Sequence, residues 1–246
     1  VALEKALAEI DKKRAAWLGE ESKNQAAYED LRRDACVSLA VSFNPGGSLA
    51  LAPEWMEQLE KTVRLWRSRG AEHFLLSFDD MAANLASPAK ERFASYSEAQ
   101  ASLLRSLAGW MRDGDAPPMR LHFMHQAYFG QQQYLPKNRH ISELVKAGMP
   151  EELNMCWTGR GVLSNSTTGQ DITDYAGLFG RRAGFFYHNW PIGVRKTLDA
   201  SGPMPPQGKG FAEATGIFML CSAHDASSTM GMLTGLDYAW NPEGYD

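Results

Sequence analysis

Residues 73–81, HFLLSFDDM, carry the reading from which the fold follows. Phe74 to Phe78 form a largely apolar run that ends in two adjacent carboxylates, Asp79 and Asp80. A short apolar run bounded by polar residues reads as a buried strand. Packing alone gives no reason for such a strand to end in two acids. Successive residues of a strand point to opposite faces. Both carboxylates can therefore face one pocket only if the chain leaves the strand between them or just after them.

The same pattern recurs on both sides. CVSLAVSF, 36–43, reads as a continuous apolar strand, and NPGG, 44–47, as a turn. Residues 53–69 form an amphipathic helix with Met56, Leu59, Val63 and Trp66 on one face, closed by Gly70. Downstream, helices are expected at 95–112, 138–148 and 223–238, and a short one at 170–180 with Asp171 as its N-cap. Strands are expected in MRLHFMH (119–125), LNMCW (153–157), GFFYH (184–188) and GIFML (216–220). A helix over 1–32 opens the chain, with Leu3, Leu7, Ile10 and Trp17 or Leu18 near helical spacing.

Six strands thus alternate with helices, their starts roughly 30–45 residues apart, which is a βα spacing. Unbroken apolar strands suit a parallel sheet covered by helices. That leaves a doubly wound sheet or a (β/α) barrel. No Gly-rich phosphate loop follows the first strand, which weakens the dinucleotide-binding version. The 246 residues, 44% hydrophobic and 22% charged, fit an ordinary soluble globular protein, read as one domain over 1–246. A net charge of −4 gives no electrostatic footprint for nucleic acid. No apolar run approaches the roughly 20 residues of a membrane helix. Cys36, Cys156 and Cys221 lie far apart without a CxxC pair. They read as small buried residues, not as a disulfide framework or a zinc site.

Polar groups collect where the strands end. After Asp79 and Asp80 come HQAYFG with His125, Gln126 and Tyr128, then WTG from Trp157, then YHNW from Tyr187, then CSAHD from Cys221 to Asp225. In a parallel barrel these ends share one face, and that face holds the active site. Each group also has a plainer reading. An Asp after a strand caps the next helix, Trp157 serves equally well as a packing residue, and Asn189 before Trp-Pro holds a turn. His125 and His188 read as hydrogen-bonded structural residues rather than metal ligands. Two carboxylates sharing one site do not readily both ionise, so one tends to hold a proton while the other stays charged. That division suits acetal cleavage. Adjacent aspartates also serve as magnesium ligands.

Several stretches, taken in order, resemble the family 84 glycoside hydrolases, the O-GlcNAcase and bacterial β-N-acetylglucosaminidase family. FLLSFDDM resembles its catalytic-strand signature and SFNPG, 42–46, its Asn-Pro-Gly turn. HQAYFG resembles its Thr-Glu-Tyr segment, and CWTGRGVLS, 156–164, its Trp-Thr-Gly stretch. RRAGFFYHNWPIGV, 181–194, and LDYAWNPEGYD, 236–246, resemble its later strand end and the close of its catalytic domain. The resemblance implies a (β/α)8 TIM-type barrel with about six βα units present and the first two strands missing. It implies a retaining, substrate-assisted β-N-acetylhexosaminidase in which the sugar's own acetamido oxygen is the nucleophile. Asp79 would then orient the acetamido group, and Asp80 would act as general acid and base. Tyr128, Trp157, Tyr187, Asn189 and Ser222 would border the sugar. No cofactor or metal is implied.

Departures from the family pattern shape the expectation. The family's Asp a few residues after the Asn is absent, since Gly193 or Val194 falls there. Ser222, His224 and Asp225 stand where an asparagine often follows the next strand, and Ala127 replaces a Glu. The acetamido chemistry is thus expected to be kept and recognition of the 4- and 6-hydroxyls altered. The chain opens on Val1 and enters a helical pattern at once, as an excised or processed piece would. The expected partner is a GlcNAc-containing glycoside or glycoprotein, with remaining segments of the same protein or a second subunit completing the barrel. A carbohydrate-binding or interaction domain with weak or lost catalysis on the same scaffold is the alternative. A metal-dependent hydrolase stands third, because no HxH or HExxH spacing occurs.

Overall fold

The computed structural model describes residues 38, 40–46, 48–130, 135–162, 167–188 and 217–220. Six strands form its frame: β1 (Ala40–Phe43), β2 (His73–Ser77), β3 (Arg120–Met124), β4 (Asn154–Trp157), β5 (Arg182–His188) and β6 (Ile217–Leu220). Every neighbouring pair is parallel, and the spatial order is the chain order. One row of the register runs Ser42, Leu75, His122, Asn154, Arg182. A doubly wound sheet reverses its strand order part-way. Among the described residues this sheet never does, so its winding is that of a (β/α) barrel.

The helices between the strands are α1 (Pro53–Ser68), a single turn α2 (Ala89–Arg92), α3 (Tyr96–Arg112), α4 (Arg139–Ala147) and α5 (Gly169–Phe179). The expected helices at 1–32 and 223–238 lie outside the described residues, as do Cys36 and Cys221. Strand parity sorts the side chains into two layers. Phe74, Leu76, Phe78, Leu121, Phe123, Met155 and Trp157 pack with the helices in the large core. The intervening Leu75, Met124 and Cys156 form a small cluster with Tyr128 and Val162 on the other face. Strands buried on both faces show no alternation, which is why each reads as an unbroken apolar run.

Local chemistry sets the helix ends. α1 starts with Pro53 at its first position, where a missing N–H costs nothing. Gly70, just past its C-cap Arg69, has φ +82°, a conformation a glycine adopts without strain. Ser95 caps α3 by accepting from the Glu98 N–H at 3.1 Å, and Asn138 caps α4 through the His140 N–H at 3.0 Å. For α5 the expectation needs correction. Thr168, not Asp171, is the N-cap, and Asp171 is the third helical residue of a reciprocal capping box. Burial raises the Asp171 pKa, but hydrogen bonds from Arg160 and Thr168 outweigh it and hold the carboxyl below its usual range.

The far ends of the helices share a device. Buried Arg67 of α1 donates to the carbonyl of Trp110 (3.4 Å) in the last turn of α3 and to those of Pro117 (2.8 Å), Gly114 (3.3 Å), Asp113 and Ala116 beyond its end. Arg105 of α3 donates to Ala147 and Gly148 at the end of α4. Arg181, after α5, donates to Met149 and Pro150. Each arginine satisfies carbonyls that a helix end or loop leaves without partners. Consecutive βα units are thereby stitched together.

Arg67→Met should lower unfolding stability by about 3 kcal/mol, since it strands several carbonyls. Arg64→Ala, on the exposed face of the same helix, should barely move it; urea midpoints decide. A second expectation concerns acid. Burial, with the nearby His73 and Arg120 charges, pushes the His122 pKa down to about 3, and burial with nearby His140 does the same to His125. The unfolded chain binds protons near pH 6.5 and the folded chain does not. The stability these groups supply is therefore whole above pH 6.5 and drains away as pH falls toward about 3. Between pH 7 and 5 the loss should be about 2 kcal/mol for each of the two imidazoles. A flat pH dependence over that interval would contradict the burial of these imidazoles as neutral groups.

Candidate active site

The site begins where β2 stops. Past Ser77, Phe78 keeps the ladder for one more residue, its N–H donating to the Met124 carbonyl at 2.8 Å. Its ring turns outward, edge-on to Tyr96 and Phe123. Asp79 therefore returns to the inner side, two residues from Ser77, whose hydroxyl donates to Asp79 Oδ1. Asp80 then takes φ +56°, left-handed, and the chain turns out of the sheet. Among residues with a Cβ, Asp is one of the few that accept this region. The strand thus ends just before the two acids, and the turn they form, not a break between them, lets both lie on the inner side. Asp79 is half-buried and Asp80 exposed.

Tyr128 reaches the pair from the end of β3. Its phenol donates to Asp80 Oδ1 at 2.8 Å. Burial raises the Tyr128 pKa first, and the hydrogen bond to Asp80 and the negative charges of Asp80 and Asp79 raise it further. The phenol therefore stays a donor. The loop is held from β4: the Thr158 N–H donates to the Tyr128 carbonyl at 2.8 Å and the Gly130 N–H to the Gly159 carbonyl at 3.1 Å. Gly159 has φ +102°, which only glycine takes readily. Below lie Leu75, Met124 and Cys156. Cys156 is fully buried, and burial drives its thiol pKa up, so it behaves as an inert apolar group.

Asp79, Asp80 and Tyr128 are thus brought together. Trp157 is not. It is fully buried on the helix side of β4 and stacks on Tyr175 with centroids 5.1 Å apart and planes 14° apart. The reason is parity: Cys156 takes the inner face, so Trp157 must take the outer one. Tyr187 is a backbone position of β5, with its side chain outside the described residues. Asn189 and Ser222 also lie outside them. His125 is a buried structural residue whose Nδ1 accepts from the Ala127 N–H. Sequence reasoning missed Ser77 and Thr158. Ser77 was detectable, because a serine two residues before an acid at a strand end shares its face. Among the described residues, no three His, Cys, Asp or Glu side chains gather closely enough to hold a metal ion.

A sequentially wound parallel sheet with acids and a phenol at its C-terminal ends has the arrangement of a barrel enzyme's active face. The family model for beta-N-acetylglucosaminidase matches residues 22–246, and the chain belongs to that family. Its fold is similar to an O-GlcNAc hydrolase variant from Thermobaculum terrenum, with TM-score 0.75 and 18% identity over 91% of this chain and 49% of that one. It is also similar to CpGH84B, with TM-score 0.71 and 18% identity over 91% of this chain and 40% of that one. The chain spans half or less of the length of these structures. No curated protein matches it.

The Tyr128 geometry has a spectroscopic consequence. Tyr96, Tyr128 and Tyr175 all have raised pKa values, burial being the first cause in each. Ultraviolet titration of the folded chain up to about pH 11 should miss all three. Tyr128→Phe should then leave the phenolate amplitude in that range unchanged. A loss equal to one tyrosine would show that the phenol is not held as described.

Proposed function

We propose that the chain carries a retaining, substrate-assisted β-N-acetylhexosaminidase site for terminal GlcNAc-type β-glycosides. The observation that carries this reading is the turn at Asp79–Asp80 closed by Tyr128, in a chain of the beta-N-acetylglucosaminidase family. Asp79, oriented by Ser77, has a carboxylate able to accept from an acetamido N–H and so aim the acetamido oxygen at the anomeric carbon. As that oxygen bonds to the carbon, the glycosidic bond breaks and Asp80 in its acid form gives a proton to the departing oxygen. The intermediate is an oxazolinium ion that keeps its N–H proton, with the Asp79 carboxylate accepting from that N–H and stabilising the charge. Water then attacks the same carbon, Asp80 takes its proton, and the ring opens to the acetamide with the original configuration. Tyr128 restrains Asp80 throughout.

Tyr187, Asn189 and Ser222 complete the sugar pocket in this reading, while Trp157 supports it by packing. With no acid shortly after Asn189, the outer hydroxyls meet a different surface, which favours a different sugar, a modified GlcNAc or weak activity. The remaining barrel wall would come from further segments of the protein or from a second subunit.

The test compares two substitutions. Asp80→Asn should slow aryl glycosides of poor leaving groups by about a hundredfold or more and activated ones much less, since these need little protonation. Asp79→Asn should slow both classes alike. An unchanged rate in Asp79→Asn would refute the assignment. Inhibition by a thiazoline sugar, without sensitivity to chelators, is expected alongside.

A further inference from the structure

The turn that presents Tyr128 is held by more groups than the proposed chemistry uses. It starts at His125, fully buried immediately after β3. His125 Nδ1 accepts from the Ala127 backbone N–H at 3.0 Å. An imidazole that accepts at Nδ1 carries its proton on Nε2. Phe123 and Phe179 flank the ring at 6.0 and 5.6 Å between centroids, both edge-on, and fix its plane. Burial and nearby His140 hold the ring neutral, so the acceptor persists at any working pH. Other contacts clamp the turn from outside. Gln100 of α3 donates to the Gln126 side chain at 3.1 Å, and the Tyr175 hydroxyl of α5 to the Ala127 carbonyl at 3.3 Å. The His125 bond differs from these because it lies inside the turn. Tied to the amide two residues ahead, it sets the backbone of Gln126 and Ala127 and so the direction in which Tyr128 leaves the sheet. The phenol must arrive within 2.8 Å of Asp80.

We propose that His125 is a positioning residue, its Nδ1 holding the Ala127 amide so that the Tyr128 phenol is set against Asp80. This rests on the reading of Asp80 as the acid–base group, and its test is built to fail separately.

The full 246-residue chain is assayed with an aryl N-acetyl-β-glucosaminide. His125→Phe keeps the ring but removes the acceptor, and should lower kcat about tenfold with KM little changed, the effect of one buried hydrogen bond. His125→Asn returns an acceptor to the Nδ1 position and should recover most of the rate. In a Tyr128→Phe background, His125→Phe should add no further loss, because both act through one contact. A second readout needs no hydrolysis. With tyrosine carbon-13-labelled at Cζ, the Tyr128 resonance, assigned from Tyr128→Phe, should move in His125→Phe and return in His125→Asn. Equal rates in the Phe and Asn variants, multiplying losses in the double variant, or an unmoved resonance would overturn the proposal. If the wild-type chain cleaves nothing, the functional reading fails and the resonance alone decides the positioning role.

Discussion

The site depends on one left-handed residue. Up to Asp79 the chain obeys strand parity: Phe74, Leu76 and Phe78 go to the helices, and Leu75, Ser77 and Asp79 to the inner face. One more extended residue would send Asp80 outward, into the layer of Phe78 and Tyr96. At φ +56° it breaks the alternation instead and meets Tyr128. That conformation costs an ordinary L-residue roughly 1–2 kcal/mol, and Asp is among the least penalised. Phe78 holds the turn down from the other side, buried between aromatic rings and bonded to Met124.

Rigidity around this turn comes from the division of labour between the two faces of the sheet. The outer face carries the bulk of the core, including Trp157 against Tyr175. The inner face carries a thin apolar floor and then polar groups. Loops at the strand ends are tied to one another by backbone bonds through Thr158 and Gly159, which hold Tyr128 together with its packing against Leu75, Met124 and Cys156. At the opposite ends of the helices, Arg67, Arg105 and Arg181 bind carbonyls of neighbouring units. Positions on a βα scaffold held in this way suit chemistry that needs fixed geometry.

Much of this was legible in the residues, and the failures have physical causes. Strands buried on both faces gave apolar runs whose existence was plain. A continuous run has no period, however, so it does not say which residues face which way. Trp157 was placed at the sugar for that reason; with Cys156 on the inner face, its ring packs on the helix side. Asp171 was read as a cap because an acid at a helix start fits that role, yet Thr168 three residues earlier completes the reciprocal box. The single turn α2 and the 3-10 turn at Leu135–Lys137 are too short to leave a periodic trace. Local pattern alone left the winding undecided between two architectures, because strand order is not written in it, and only the family resemblance pointed to the barrel. The winding follows from the parallel pairing of each strand with the next. That the chain must leave the strand near the two carboxylates was legible, whereas its departure before both of them and the left-handed Asp80 were not.

In the function proposed, the substrate's own acetamido group is the nucleophile between Asp79 and Asp80. The most direct measurement is hydrolysis of an aryl N-acetyl-β-glucosaminide by this chain, beside its N-trifluoroacetyl analogue. Fluorine withdraws electron density from the acyl oxygen and leaves the rest of the sugar unchanged. Cleavage of the first substrate and a steep fall for the second are expected. Equal rates for both would contradict acetamido participation. No cleavage of either by a folded chain would contradict the catalytic reading and leave a carbohydrate-binding role for the scaffold.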